Sequence, residues 1–310
     1  MTNILFAAGP ALWAEYETAL RTALDATGLD YRLVCEADPE SVDYVVYAPA
    51  SKLQDFTPYT RLKAVLNLWA GVEKITGNPT LTAPLARMVD EEGLTQGMVE
   101  YVTGHVLRHH LGMDAYISNP ERAWRPVVPP LAGERPVGIL GLGTLGLACA
   151  EALRGLGFPV TGWSRNPKTA PGITTLHGPD GLSGTLERAE ILVLLLPDTP
   201  ATRDLLDAER LAQLPRGAVI VNPGRGALIV DDALISALDS GQLAHATLDV
   251  FRTEPLPAEH PFWAHPKVTV TPHIASETRV PSASRVIAEN IRRGEAGEPL
   301  LHLVDRDAGY

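Results

Sequence analysis

PVGILGLGTLG, residues 136–146, places a short apolar run directly before glycines at 141, 143 and 146. A strand that ends in G-x-G-x-x-G and passes into a helix has a physical reason for each glycine. Gly141 permits the tight turn, Gly143 lets the backbone approach a pyrophosphate, and Gly146 lets helix and strand pack closely. The amides of Thr144 and Leu145 then open a helix and face phosphate with the positive end of its dipole. The spacing alone also occurs in ordinary glycine-rich turns. Here a strand, a helix and a second strand stand where a dinucleotide needs them.

The second strand ends in GWSRNPK, residues 162–168. An NAD site usually carries an acid about 20 residues past the glycines, where it binds the ribose hydroxyls. Ser164 takes that place, with Arg165 and Lys168 beside it. An acid would repel a 2′-phosphate, whereas a hydroxyl and two cations would hold it. The expectation is NADPH as the preferred cofactor, with NADH as the alternative.

Strand and helix candidates alternate on both sides of this motif. Before it lie strands over Ile4 to Ala7, Tyr31 to Cys35, Tyr44 to Tyr47 and Ala64 to Leu68, with helices over Ala11 to Ala26 and Gly97 to Leu111. After it come strands over Pro159 to Trp163, Ile191 to Leu196, Ala218 to Val221, Ala246 to Leu248 and Val268 to Thr271, and helices over Asp231 to Ser240 and Ser284 to Arg293. Such alternation builds parallel sheets covered by helices. A Pro-rich stretch (Pro120, Pro126, Pro129, Pro130, Pro136) cannot be continuous helix and reads as an extended arm. The division expected is 1–97 as a substrate domain, 98–281 as the dinucleotide-binding domain, and 282–310 as a helix and tail returning to the first.

The 310 residues are 45% apolar and carry a formal net charge of -11. That acidity argues against nucleic acid or an anionic membrane as partner. No apolar run approaches the ~20 residues that span a bilayer, and the first residues read as a strand, not a signal peptide. Cys35 and Cys149 are the only cysteines. They have no metal spacing, so no metal is expected and a reducing, cytoplasmic setting is.

Three further segments follow in order: VNPGRGALIVDDAL (221–234), LDVFRTEPLP (248–257) and VTPHIA (270–275). Together with GLGTLG, and with a whole domain preceding the glycines, they resemble the D-2-hydroxyacid dehydrogenase family over nearly the whole chain. The resemblance implies a flavodoxin-like substrate domain and a Rossmann-type domain, with the active site in the cleft between them. It implies Arg225, Glu254 and His273 as the catalytic set. Ala70 and Gly71, in NLWAGVEKI (67–75), would join Arg225 in binding a substrate carboxylate, and Leu196 and Asp249 would contact the cofactor. It also implies a homodimer, with the element from about Met98 to Pro130 in the interface. Trp69 departs from the small residue usual in the carboxylate loop, and would narrow the pocket or pack against a neighbouring strand.

WSRNPKTAPGI (163–173) and the ending GEPLLHLVDRDAGY (297–310) further resemble the branch that reduces glyoxylate and hydroxypyruvate to glycolate and D-glycerate. The chemistry suits the residues. His273 titrates near neutrality and can donate a proton; Glu254 would favour its imidazolium; Arg225 presents a planar fork to a carboxylate. Singly, each of the three has a plain reading as a loop or surface residue. A dinucleotide-sensing, corepressor-like protein and a dehydrogenase for larger 2-oxoacids are the alternatives. His109 and His110 read as a solvated helix face, His260, His265 and His302 have no role assigned, and Trp263 reads as packing.

Overall fold

A computed structural model describes every residue except Pro120, Asp307 and Tyr310. The chain divides into two compact units, Met1–Leu94 with Glu277–Tyr310, and Thr95–Ser276.

The first unit is built on a five-stranded parallel sheet, β1 (Thr2–Phe6), β2 (Tyr31–Val34), β3 (Tyr44–Tyr47), β4 (Ala64–Asn67) and β5 (Leu85–Ala86), in the order β2-β1-β3-β4-β5. All four residues of both β3 (YVVY) and β4 (AVLN) are buried. Strands apolar on both faces need helices on both faces, which is why the sheet is parallel and not half-solvated. One covering layer pairs the Pro10–Asp25 helix with the final helix, Val280–Ala296. Ala283, Ile287, Ala288 and Ile291, at helical spacing, enter one core with Ile4, Leu20, Leu24 and Leu66. The last helix starts four residues earlier than expected because Pro281 sits in its first turn, where proline's missing N–H is no loss.

The second unit is built on β6 (Val137–Leu140), β7 (Val160–Ser164), β8 (Thr174–His177), β9 (Ile191–Leu194), β10 (Ala218–Asn222), β11 (Leu243–Leu248) and β12 (Val268–Val270). Their order is β12-β11-β10-β9-β6-β7-β8, with neighbouring strands parallel. The order reverses between β6 and β9, which makes a switch point at their carboxyl ends, where open α/β sheets bind ligands. The helix Gln96–His110 packs on the Thr144–Gly155 helix of this sheet, so the break between units falls before it, at Leu94 and not at residue 97.

Two strands were not foreseen. β5 is two residues long, too short for any periodicity to register. β8 is an edge strand, TTLH, without a fully buried position. No helix among the described residues is long and apolar enough to cross a membrane.

Candidate active site

The glycine loop leaves β6 at the switch point. Gly141 has φ 107, and a Cβ there would lie 2.5 Å from the carbonyl oxygen of Leu195, just past β9. At Gly146 a Cβ would fall 1.8 Å from the carbonyl of Gly141, so only hydrogen lets the helix rise against the turn. Gly143 is the N-cap of Thr144–Gly155, is exposed, and would present a Cβ to open space. That bare backbone at the start of a 12-residue helix, with Thr144 exposed and Leu145 half-buried, fits a pyrophosphate. Leu196 is nearly buried and packs against Gly141, forming part of the loop's floor.

Past β7, Lys168 donates from Nζ to the carbonyl of Leu142 at 2.6 Å, which brings a cation onto the glycine loop. Arg165 is exposed in the same turn. Ser164 stands at the end of β7. It is buried, and its hydroxyl donates its single hydrogen to the Asn166 carbonyl at 2.8 Å. It braces the turn after β7.

Glu254 and His273 meet at 2.7 Å between Oε2 and Nδ1. The other carboxylate oxygen, Oε1, accepts the Phe251 amide at 2.9 Å, so the acid is held at both ends. The hydrogen bond to Glu254 raises the His273 pKa above the ordinary imidazole value, against burial. Burial alone would push the Glu254 carboxyl up, but the His273 hydrogen bond and the Phe251 amide bring it below its usual value. Nδ1 is thus engaged, and the half-exposed ring keeps Nε2 for another partner.

Arg225 lies close enough for its charge to lower both of these pKa values. Its loop follows β10. Asn222 ties that loop by donating to the Arg225 carbonyl at 3.0 Å and accepting the Gly224 amide at 3.1 Å. Arg225 itself is half-buried, and its Nη1 donates to the Gly224 carbonyl at 2.7 Å. Arg252 ties the Glu254 loop to the stretch after Arg225, donating from Nε to the Ile229 carbonyl at 3.0 Å. A side chain at Gly226 would collide with the Phe251 backbone at 2.0 Å, which is how closely the two loops approach.

Asp249, expected at the nicotinamide carboxamide, is fully buried. Its Oδ1 accepts from the Thr271 hydroxyl at 2.6 Å and the Ile274 amide at 2.9 Å, and its Oδ2 from the Ala275 amide at 2.9 Å. With no exposed surface, the carboxylate braces the histidine loop. His273 itself has φ 55, a left-handed conformation uncommon for a side-chain-bearing residue, and its amide donates to the Asp249 carbonyl at 2.9 Å.

In the first unit, the loop Trp69–Gly71 follows β4. Asn67, fully buried and not foreseen, donates to the carbonyls of Trp69 (2.7 Å) and Gly71 (2.9 Å) and so shapes this loop. Ala70 and Gly71 are half-buried, whereas the Trp69 side chain is 41% exposed and so packs only in part.

The helix histidines correct the solvated face expected of them. The His109 side chain is 4% exposed, with Nε2 at 2.8 Å from the Thr247 hydroxyl, and burial lowers its pKa to about 3. His110 is buried against Phe158. Their partners stand far away in sequence, which is why the helix alone gave a solvated face. Trp263 is also half-exposed, donating from its indole to the Pro257 carbonyl. No His, Cys, Asp or Glu group among the described residues could hold a metal ion.

This arrangement of a glycine-loop nucleotide site with an Arg–Glu–His set on neighbouring loops has close relatives. Residues 105–275 match the model of the D-isomer specific 2-hydroxyacid dehydrogenase, NAD binding domain. The chain is 43% identical over 258 residues to glyoxylate/hydroxypyruvate reductase A of Serratia proteamaculans, covering 81% of this chain and 82% of the relative. It superposes with TM-score 0.93 and 42% identity on a D-isomer specific 2-hydroxyacid dehydrogenase of Xanthobacter autotrophicus Py2 solved with NADPH and MES, over 100% of this chain and 99% of that one. An NADPH-dependent glyoxylate/hydroxypyruvate reductase of Sinorhizobium meliloti, solved with NADP and sulfate, superposes with TM-score 0.88 at 34% identity over 100% of both chains. The chain belongs to the D-isomer specific 2-hydroxyacid dehydrogenase family.

The Glu254–His273 pair makes a signed prediction. Were His273 the proton donor of a reduction, activity would be present below its raised pKa and lost as pH rises through it. Glu254→Gln removes the anion that raises that pKa, so the falling limb of the kcat profile should move to lower pH. A limb that stays where it is in wild type would remove Glu254 from this role.

Proposed function

We infer that the protein reduces small 2-oxoacids, glyoxylate and hydroxypyruvate first among them, to 2-hydroxyacids with NADPH, and that Arg225, Glu254 and His273 carry the chemistry. The observation that supports this most is the 2.7 Å contact of His273 Nδ1 with Glu254, which leaves Nε2 to face a substrate oxygen. When bound, the nicotinamide supplies the hydride. His273 then gives a proton from Nε2 to the developing alkoxide, while the charge of Glu254 stabilises the imidazolium beforehand. Arg225 holds the carboxylate and draws charge from the carbonyl oxygen. Ala70 and Gly71 would add amides to the carboxylate site, and the indole of Trp69 beside them favours small groups on the far side of the carbonyl.

Preference for NADPH is supported by the exposed Arg165 and by Lys168 on the glycine loop. The names of the relatives in Serratia and Sinorhizobium point the same way for substrate and cofactor. On this reading the first unit is the substrate domain and the second the cofactor domain. A homodimer is supported by the run of exposed apolar residues Ile117 (71%), Trp124 (95%), Val127 (71%), Val128 (89%) and Leu131 (78%), a patch monomers rarely leave in water. Light scattering should give twice 33.3 kDa, and a monomer would remove that part. A cytoplasmic setting is supported by two free cysteines.

The substrate reading is tested by kcat/KM across glyoxylate, hydroxypyruvate, pyruvate, 2-oxoisocaproate and phenylpyruvate, with each nicotinamide. Glyoxylate and hydroxypyruvate should lead. Pocket size discriminates by only about 1–3 kcal/mol per methylene, so slow reaction of pyruvate fits. A wide lead for the branched or aromatic acids would overturn the small-substrate reading and leave family membership untouched.

A further inference from the structure

The loop that carries His273 is tied to a residue on a distant helix. Tyr101, on Gln96–His110, has its hydroxyl 2.7 Å from the Thr271 hydroxyl, which lies 2.6 Å from Asp249 Oδ1. The direction of these bonds follows from counting hydrogens. Asp249 is an acceptor that already takes two amides of the loop, so Thr271 must donate its one hydroxyl hydrogen to it. The Thr271 oxygen is then left to accept, and Tyr101 is the donor. A chain of this kind polarises along its length, and it ends on a fully buried carboxylate that no solvent stabilises. The ring of Tyr101 is fixed in turn by His105, one helical turn on, with centroids 4.4 Å apart.

We propose that Tyr101 is a positioning residue for the reaction, acting through Thr271 and Asp249 to hold His273 in its left-handed backbone conformation and so in register with Glu254. This rests on the reductase reading above. Asp249 grips the loop on both sides of His273, through Thr271 before it and the Ile274 and Ala275 amides after it. Without a donor from Tyr101 the Thr271 oxygen loses its partner, its bond to Asp249 is no longer strengthened along the chain, and the loop gains a way to relax from φ 55. The groups whose charge bears on His273 are Glu254, Asp249 and Arg225. Only the first depends on the ring's exact placement, so loosening the loop weakens the Glu254 contact selectively.

The test is Tyr101→Phe, which keeps the ring against His105 and removes only the hydroxyl. Expected are a fall in kcat of about 3- to 10-fold, the scale of one hydrogen bond, an unchanged Kd for NADPH, and a falling pH limb displaced to lower pH. Thr271→Val should give a larger loss, and the double variant no more than Thr271→Val alone, because both act along one chain. A merely structural tyrosine would weaken NADPH binding or thermal stability without moving the limb. An unchanged kcat and limb in Tyr101→Phe, or losses that multiply in the double variant, would overturn the proposal. If Tyr101→Phe unfolds the domain, Thr271→Val serves in its place: kcat should fall and the limb should move to lower pH with the Kd for NADPH unchanged, and an unmoved limb there would overturn the proposal. A wild type that reduces none of the five 2-oxoacids would instead defeat the reductase reading, so the two failures are distinct.

Discussion

Replacing His273 by Ala should lower kcat by roughly 10²–10⁴-fold, the usual contribution of a positioned general acid. Affinity for NADPH should hardly change. The loop is fixed by main-chain and Asp249 contacts, the His273 amide on the Asp249 carbonyl among them, and these survive the substitution. One complication can be removed by design. His273 stands at φ 55, where an alanine is strained by about 1–2 kcal/mol, so His273→Asn, which tolerates that region, separates lost chemistry from lost backbone. Both variants should be comparably slow. Near-wild-type turnover in either would mean that the proton comes from another group.

The second large effect concerns the cofactor. Wild type should prefer NADPH, and Ser164→Asp with Arg165→Ala should shift the ratio of kcat/KM values toward NADH by roughly 10²-fold. One charge-assisted hydrogen bond to the 2′-phosphate is worth about 1.5–3 kcal/mol, and an acid at the end of β7 adds repulsion to that loss, so attraction and exclusion change together. Because Ser164 is engaged with Asn166, Arg165→Ala alone should produce the greater part of the attractive loss, while Ser164→Ala should do little. Equal use of the two nicotinamides by wild type would show that the Arg165 guanidinium does not reach the phosphate.

The difference between Ser164 and Arg165 illustrates what sequence order can convey. The offset from the glycines located the turn after β7, since a β-α-β unit fixes that distance. Which hydroxyl hydrogen is already committed depends on the fold of the turn itself. Gly141 and Gly146 were legible for the same reason: their need for a bare Cα is local to one turn, and the contacts of 2.5 Å and 1.8 Å are made within it and with the adjoining strand end. Asp249, by contrast, is given a cofactor contact by the family resemblance alone. Its actual partners, Thr271, Ile274 and Ala275, lie more than 20 residues on, and only the pairing of β11 with β12 brings them together.

The helix histidines failed in a similar way. Tyr101, His105 and His109 recur at intervals of four and so share one face, a signal that was available in the sequence. The solvated reading rests instead on His109 and His110 as a pair, which face different directions and have no partner four residues on, and so overlooks that face. The face meets Thr247 and Thr271, whose hydroxyls satisfy polar groups without solvent, so a buried polar face was possible where an exposed one was expected. Asn67 was equally unreadable, because a polar residue ending a strand gives no hint that it will bind two carbonyls of the loop beyond it.

Hydride transfer to a small 2-oxoacid is measured most directly with NADPH carrying deuterium at C4 of the nicotinamide, incubated with glyoxylate and the wild-type protein. The reading developed from His273, Glu254 and Arg225 predicts oxidation of the nucleotide at catalytic rates and glycolate bearing one deuterium at C2. Binding of NADPH with no oxidation and unlabelled glyoxylate recovered would contradict it.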